Sequence, residues 1–287
     1  MLKTVPLTNK NIRNGTAMLL GGFDGLHLGH NLLVSHAKQS GLPVGIMTIV
    51  GGKNESVFTF AERERVFLRA GLDFVFELEF DEIKSLTPKQ FLEVLEYEFS
   101  PKLYVCGDDF RFGSNAQGTV ETLKDSTQVR VEVKNLLTVD GEKISTRTIK
   151  RYLSDGQIEK ANALLCEDFF LLGTVFKDRG VGKTIGFPTA NIHYPKDKFP
   201  VKKGVYQTCV CIDGKCYNGI TNFGSRPTFD DNTIVTETYL DGFSGDLYGK
   251  TIEVQFKRFL REIKKFDSVE ELQKQLQTDI RRVREND

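Results

Sequence analysis

The first strong apolar run, TAMLL at positions 16–20, is continuous rather than alternating. Short continuous runs of this kind mark strands covered on both faces. Residues 16–22 are read as such a strand. The period then lengthens, and residues 29–39 form a helix with Leu32, Leu33 and Ala37 on its apolar side. A second strand is expected at 43–49. A helix at 60–70 stops at Gly71, a favourable C-terminal breaker. Further strands follow at 74–78, 103–106 and 129–133, with a helix at 88–98 among them. Alternation of strand and helix predicts a mainly parallel, Rossmann-like α/β sheet with helices on both faces. Ligands of such sheets bind beyond the carboxyl ends of the strands.

Residues 146–165 carry two short helical patterns. After Cys166 the texture changes to β-rich runs at 169–176, 204–212, 216–221, 235–239 and 251–259, separated by Gly, Asp and Pro. These predict a small antiparallel β-barrel or sandwich. A C-terminal helix starts near Ser268, where Ser268 and Glu271 have capping-box spacing. Its apolar stripe, Val269, Leu272, Leu276, Ile280 and Val283, is expected to pack on the barrel. The pattern thus divides the chain into an α/β domain over 1–166 and a barrel domain over 167–287.

Composition agrees with two domains in 287 residues. The 39 basic and 39 acidic side chains cancel. They also balance locally, at 20 and 21 in residues 1–166 and 19 and 18 in the remainder. A strongly basic nucleic-acid-binding surface is therefore not expected. No apolar run approaches the ~20 residues that span a bilayer. The start of the chain lacks the apolar core of a signal peptide. A cytoplasmic protein with no membrane and no nucleic-acid partner is expected. The five cysteines, Cys106, Cys166, Cys209, Cys211 and Cys216, are odd in number and form no Cys-x-x-Cys pair. Neither a disulfide framework nor a zinc finger is suggested. Cys209 and Cys211, on one face of a strand, are read as small buried hydrophobes.

Candidate chemistry gathers at two places. The run GGFDGLHLGH at 21–30 joins the first strand to the first helix. A glycine-rich turn at a helix N-terminus exposes backbone N–H groups that suit phosphate. Gly22, Phe23, Asp24, Gly25 and Gly29 build that turn. His27 and His30, one helical turn apart, can grip nucleotide phosphates and stabilise charge on a transferring phosphorus. A metal site is the weaker rival, because Asp24 alone does not complete a ligand set.

The second place is RGVGKTIGFPTAN at 179–191. The fragment at 182–184 invites a P-loop reading. It fails, because the first glycine of that motif would fall on Lys177 and Pro188 forbids the helix that must follow. The better reading is a flap in which Gly180, Gly182 and Gly186 let backbone approach phosphate, with Lys183 and Pro188 in the same segment. Thr189 and Asn191 alternate along an extended segment, so both side chains point one way. Their oxygens are suitable hard ligands for Mg²⁺ shared with ATP.

The decapeptide at 21–30 resembles the Phe-Asp-Gly-x-His-x-Gly-His signature of bacterial FAD synthetases, within the His-x-Gly-His nucleotidyltransferases. The similarity continues through residues 58–65, the turn GDDFRFG at 107–113 and ISTRTIK at 144–150. The resemblance implies adenylyl transfer by the first domain. In it Ser145 and Lys150 would close over ATP phosphates, and Asp108 and Phe110 would meet the flavin. There are departures. Gly22 replaces a usual Asn, and residues 48–52 replace a Thr-Phe-x-Pro-His-Pro loop. Ala116 stands where Arg is common. Arg147 and Lys150 replace the last motif's second Thr and its Arg.

The second segment resembles the Gly-x-x-x-Gly-x-Pro-Thr-Ala-Asn signature of riboflavin kinases. Gly204-Val205-Tyr206, NFGSRPTF at 222–229, and Glu237 ahead of DLYG at 246–249 follow in that family's order. The resemblance implies Glu237 as the base, Thr189 and Asn191 as Mg²⁺ ligands, and Asn222 and Arg226 as flavin contacts. Together the two resemblances imply a bifunctional bacterial enzyme. It would use ATP to make FMN from riboflavin, and then FAD from FMN. Two alternatives stay open: a riboflavin kinase whose first domain is degenerate, and a non-catalytic flavin-binding regulator.

Overall fold

The structure, a computed structural model, describes residues 3–12, 15–52, 55–135, 137–139, 142–178, 182, 186–225 and 234–285. The chain separates into two compact units. One runs through Thr148 and includes Leu164–Glu167; the other holds Ile149–Ala163 and the chain from Asp168 onward.

The first unit is built on a six-stranded sheet in the order β1-β4-β3-β2-β5-β6. Its strands are Lys3–Pro6 (β1), Thr16–Leu20 (β2), Val44–Val50 (β3), Phe74–Glu79 (β4), Pro101–Gly107 (β5) and Arg130–Lys134 (β6). Strands β2 to β6 are parallel, as the strand–helix alternation predicts. The edge strand β1 pairs antiparallel with β4 and was not foreseen. Its sequence, KTVP, is too short and polar to stand out. Helices Leu28–Lys38 (α1), Phe60–Arg69 (α2), Phe80–Ile83 (α3), Pro88–Phe99 (α4) and Val120–Ser126 (α5) complete the unit, with a small hairpin of Thr138–Val139 (β7) and Glu142–Lys143 (β8). Met18, Met47, Phe76 and Tyr104 from the sheet pack with Phe91, Leu95 and Phe99 from α4 in one buried cluster.

The strand order matters for the site. β2 is central, with β3 on one side and β5 on the other. The direction of winding reverses there, and a crevice opens beyond the strand ends. Helix α1 buries Leu33, Val34 and Ala37, while Leu32 is exposed. The expected apolar side is thus rotated slightly, because Val34 shares the buried face and Leu32 does not. Helix α2 begins at a complete capping box. Thr59 Oγ1 accepts from Glu62 N, and Glu62 Oε2 accepts from Thr59 N at 2.8 Å.

The second unit contains residues of helices Thr146–Ser154 (α6) and Ile158–Leu164 (α7), a six-stranded antiparallel sheet, and the C-terminal helix Val269–Glu285 (α8). Its strands are Phe170–Thr174 (β9), Thr189–His193 (β10), Gly204–Ile212 (β11), Lys215–Ser225 (β12), Ile234–Leu240 (β13) and Thr251–Arg261 (β14), in the order β10-β13-β12-β11-β14-β9. A bridge between Phe176 and Asn191 joins the two ends, so the sheet is a nearly closed barrel. Inside, Thr208, Thr221 and Thr238 form a hydroxyl chain at 2.8 and 2.9 Å. Burying these hydroxyls is tolerated because each finds a partner.

The cysteine expectation is corrected here. On β11 the fully buried residues are Tyr206, Thr208 and Val210, which turns Cys209 and Cys211 outward. The alternation was right and its phase was wrong. Cys211 lies opposite Cys216 across the β11–β12 hairpin, and the two form a disulfide.

Helix α8 starts as expected, with Ser268 Oγ accepting from Glu271 N at 3.2 Å. The Glu271 carboxylate accepts from Asp267 N rather than from Ser268. Ile280 and Val283 pack on Val205 and Ile220, whereas Val269 is half exposed. A buried ion pair fastens the helix: Arg261 donates to both carboxylate oxygens of the fully buried Asp279, at 2.8 to 3.2 Å. Gln275 Nε2 adds a bond of 2.9 Å to the same carboxylate.

Removing one partner of such a pair strands a buried charge, at a cost of roughly 3–5 kcal/mol. Asp279→Ala is therefore expected to lower the melting temperature of the second unit sharply. Arg261→Met combined with Asp279→Leu should recover most of the loss. Calorimetry checks this, and a double variant no better than Asp279→Ala would contradict it.

Candidate active sites

In the first unit, a cavity of about 400 Å³ opens where β2, β3, β5 and β6 end. Of the residues singled out in the sequence, Gly22, Phe23, His27, Gly29, His30, Phe110 and Ser145 line it. The glycine turn is shaped by packing. A Cβ on Gly25 would lie 2.6 Å from the Phe58 ring. The Asp24 carbonyl accepts from Phe58 N, and Arg63 donates to the Phe23 carbonyl and to Thr48. Helix α2 thus holds the turn in place. Asp24 and Gly25 shape the turn but are not among the lining residues.

His27 is the N-cap of α1, and its Nδ1 accepts from His30 N at 3.2 Å. The proton of neutral His27 is therefore on Nε2. His30 Nδ1 sits 3.0 Å from the Gly25 carbonyl, so it must carry hydrogen. Each ring keeps its Nε2 for a further partner. The two rings stack, with centroids 3.5 Å apart, and Phe23 meets His30 edge-on. Burial pushes the His27 pKa down to about 4. Burial, and then the neighbouring His27, holds His30 well below the ordinary range. Both imidazoles are neutral at pH 7.

Two predicted residues lie elsewhere. Asp108 is exposed, and the residue that lines the cavity is its neighbour Asp109, paired with Lys143 at 2.6 Å. Lys150 belongs to the second unit, with its ammonium 5.5 Å above the Phe199 ring. Sequence reasoning missed Arg111, Lys134 and Lys143 at the cavity. Lys134 could have been found, since it closes a parallel strand at its carboxyl end.

Among the described residues, two cavities of the second unit share Thr189. One, of about 450 Å³, is lined by Pro188, Thr189, Thr238, Phe243 and the Asp246–Tyr248 loop. The other, of about 300 Å³, is more apolar. Phe187, Val205, Ile220, Tyr239, Phe266 and Leu276 line it, together with Gly182, Thr189, Asn222, Glu237 and Arg261. Register explains the convergence. Asn191 pairs with Glu237 across β10–β13, and Glu237 pairs with Asn222 across β13–β12. Directly opposed residues share a face. Asn191, Glu237 and Asn222 therefore form one row, and Thr189 is two residues from Asn191 on the same face.

Asn191 is buried, and its Oδ1 has no hydrogen-bond partner among the described atoms. The Gly182 carbonyl accepts from Phe187 N at 2.8 Å, and a Cβ on Gly182 would lie 2.4 Å from the Phe187 oxygen. Only glycine fits that approach. Gly186 is left-handed, at φ +84°. Gly180, Lys183 and Arg226 fall outside the described residues. Arg261 was not foreseen, and its partner Asp279 is distant in sequence.

Two family models match the chain in succession. The family model described as FAD synthetase matches residues 9–148, and that of riboflavin kinase matches 165–286. The bifunctional riboflavin kinase/FMN adenylyltransferase of Bacillus subtilis (strain 168) is 30% identical, over 97% of this chain and 96% of its own. That of Escherichia coli (strain K12) is 31% identical, over 95% and 93%. A crystal structure from Streptococcus pneumoniae, described as a macrolide-efflux protein, superimposes with a TM-score of 0.86 at 29% identity, over 97% of both chains. Among the described residues here, no helix is long and apolar enough to cross a membrane.

The histidine pair makes stability depend on pH. His27 has a folded pKa of about 4 against an ordinary 6.5, so between those values the unfolded chain binds a proton that the folded chain refuses. Stability is complete above pH 6.5 and is lost as pH falls toward 4. By pH 5 His27 alone should cost about 2 kcal/mol. Urea unfolding of the first unit at pH 7.5 and pH 5 tests this. His27→Gln should flatten the difference, and equal pH slopes in variant and wild type would refute the assignment.

Proposed function

The chain belongs to the bifunctional riboflavin kinase/FMN adenylyltransferase family, and from that premise we propose how its residues divide the two reactions. The chain is a transferase of FAD biosynthesis: riboflavin is phosphorylated to FMN, and FMN is adenylylated to FAD. The kinase work is assigned to residues 167–287 and adenylyl transfer to 1–166. The cytoplasm, where ATP is supplied, is the compartment assigned to both reactions.

The observation that carries the kinase assignment is that Thr189 lines both cavities of the barrel unit, with Glu237 in one of them. The apolar cavity suits the isoalloxazine ring, which needs flat apolar walls and a few polar contacts. The more polar cavity suits the nucleotide. The γ-phosphate would then meet the flavin's primary hydroxyl beside Thr189. Glu237 accepts the proton of that hydroxyl as its oxygen attacks phosphorus, and ADP leaves. Asn222 and Arg226 are assigned to the flavin side. Gly180, Gly182, Lys183, Gly186 and Pro188 are assigned to the flap over the phosphates.

The buried, unpartnered Asn191 Oδ1 fits a hard cation, which takes oxygen ligands. Asn191 and Thr189 are the residues that would hold Mg²⁺. Bound there, the ion would neutralise charge on the phosphates of ATP.

Adenylyl transfer needs no protein base. The FMN phosphate is already ionised and attacks the α-phosphorus of ATP, releasing pyrophosphate. Positioning and charge stabilisation suffice. The helix N-terminus at Gly29, the Nε2–H of His27, and His30 are assigned to the nucleotide phosphates, with Ser145 beside them. Arg111, Lys134 and the Asp109-paired Lys143 line the same cavity, and Arg111 and Lys134 are assigned the phosphate charge that the absent Pro-His-Pro loop would have met. Phe110, stacked on Phe112 at 5.4 Å, offers an aromatic wall.

Purified protein given riboflavin and Mg-ATP should produce FMN and then FAD, resolved by chromatography. Glu237→Gln should lower FMN formation by roughly 100-fold or more. The same variant should convert supplied FMN to FAD at the wild-type rate. Loss of both activities in a folded variant would overturn the assignment of separate sites. FMN accumulating without FAD would reduce the protein to a kinase.

A further inference from the structure

The outward face of the β11–β12 hairpin carries three sulfurs that neither reaction uses. Cys209 and Cys211 share a face of β11, and Cys216 lies opposite Cys211 on β12. All three Sγ atoms lie within 4.8 Å of one another. Cys211 and Cys216 are exposed, Cys209 is half-buried, and Cys209 lies outside the disulfide. Neither of the two cavities of this unit includes any of the three.

We propose that this hairpin is a surface trithiolate site for a soft, thiophilic metal cation, available when the Cys211–Cys216 disulfide is reduced. A thiolate–metal bond of about 2.3 Å places three sulfurs around one ion about 4 Å apart in a trigonal plane. In the oxidised hairpin Cys211 and Cys216 are bonded to each other and Cys209 Sγ lies within 4.8 Å of both, so reduction lets the bonded pair open toward that spacing on the same paired strands. The ordering cost of gathering the ligands is met by the barrel fold, as a good metal site requires. The ligand type selects the ion. Three sulfurs with no histidine or carboxylate in the group favour Cu⁺, which is soft and accepts three ligands, over ions that want oxygen. Zn²⁺ prefers four ligands and would have to complete its shell with water.

The disulfide makes the site conditional on redox state. A dithiol reductant gives two electrons and two protons to the Cys211–Cys216 bond and is itself oxidised to a disulfide, leaving two thiols on the hairpin. Three thiols then release three protons and bind one cation as thiolates. Oxidation removes two of the three ligands and closes the site.

The test uses the full-length protein, reduced anaerobically with a phosphine and titrated with Cu⁺ against a competing chelator. One equivalent should bind, with a thiolate-to-metal absorption band in the ultraviolet. The oxidised protein should not bind. Loss of a direct ligand should cost more than loss of an outer contact, so Cys209→Ser should weaken binding by roughly 100-fold or more. Cys166→Ser should bind like wild type, and riboflavin phosphorylation by Cys209→Ser should stay normal, which establishes that it is folded. Retained affinity in Cys209→Ser, or equal binding by the oxidised protein, would overturn the proposal. Tight Zn²⁺ binding with no Cu⁺ preference would overturn the assignment of the ion.

Discussion

The proposed kinase site depends on the register of β13. That strand lies between β10 and β12, and it carries Glu237 on the face it shares with Asn191 and Asn222. A slip of one residue would turn Glu237 into the barrel and bring Thr236 or Thr238 out in its place. The interior hydroxyl chain resists the slip. Thr238 bonds Thr221, which bonds Thr208, and all three are fully buried. Displacing β13 would leave buried hydroxyls unpaired, at roughly 1–3 kcal/mol for each. A row of threonines that looks unremarkable inside the barrel thereby sets the chemistry on its other face.

The first unit solves its problem with backbone and topology. Winding reverses at β2, so a crevice lies at the carboxyl ends of β2 and its neighbours. The turn that enters α1 supplies the helix N-terminus. His27 caps that helix while remaining at the cavity, which ties ring orientation to helix geometry. The carbonyl of Gly25 fixes the proton of His30 in the same way. Both rings are neutral because they are buried, so the positive charge at this cavity comes from Arg111 and Lys134, while Lys143 is balanced by its ion pair with Asp109. The neutral total charge of the chain is compatible with this arrangement, because the charges are placed locally.

Much of this was legible in the sequence, and the remainder was hidden for physical reasons. Continuous apolar runs gave the parallel strands, and the glycine turn with its two histidines gave the first cavity. Thr189, Asn222 and Glu237 were named from motif order, and register then explained why they meet. The phase of β11 was misjudged. Alternation says that residues 209 and 211 share a face, but it does not say which face is covered. The Arg261–Asp279 pair could not be seen, because its partners come from a strand and a helix with no local pattern linking them. Asp108 was chosen over Asp109 for a similar reason. Adjacent identical residues in a turn differ only in which way the chain points them.

The two proposed sites would meet polyphosphate with different means, and their topologies dictate the difference. A parallel sheet must return through helices, so it presents helix N-termini at one end and can bind an anion with backbone alone. The antiparallel barrel is joined by hairpins and presents strands near Thr189. Paired strands have already used their N–H groups on each other. What remains for phosphate is backbone outside the ladder and side-chain oxygens that suit a cation. Gly182 fits that role because only glycine clears the Phe187 carbonyl. The Asn191 Oδ1, buried with no partner among the described residues, is the oxygen proposed for the cation. A fold without helix ends at its site must import positive charge, and an orphaned oxygen in the strand row is what that import requires.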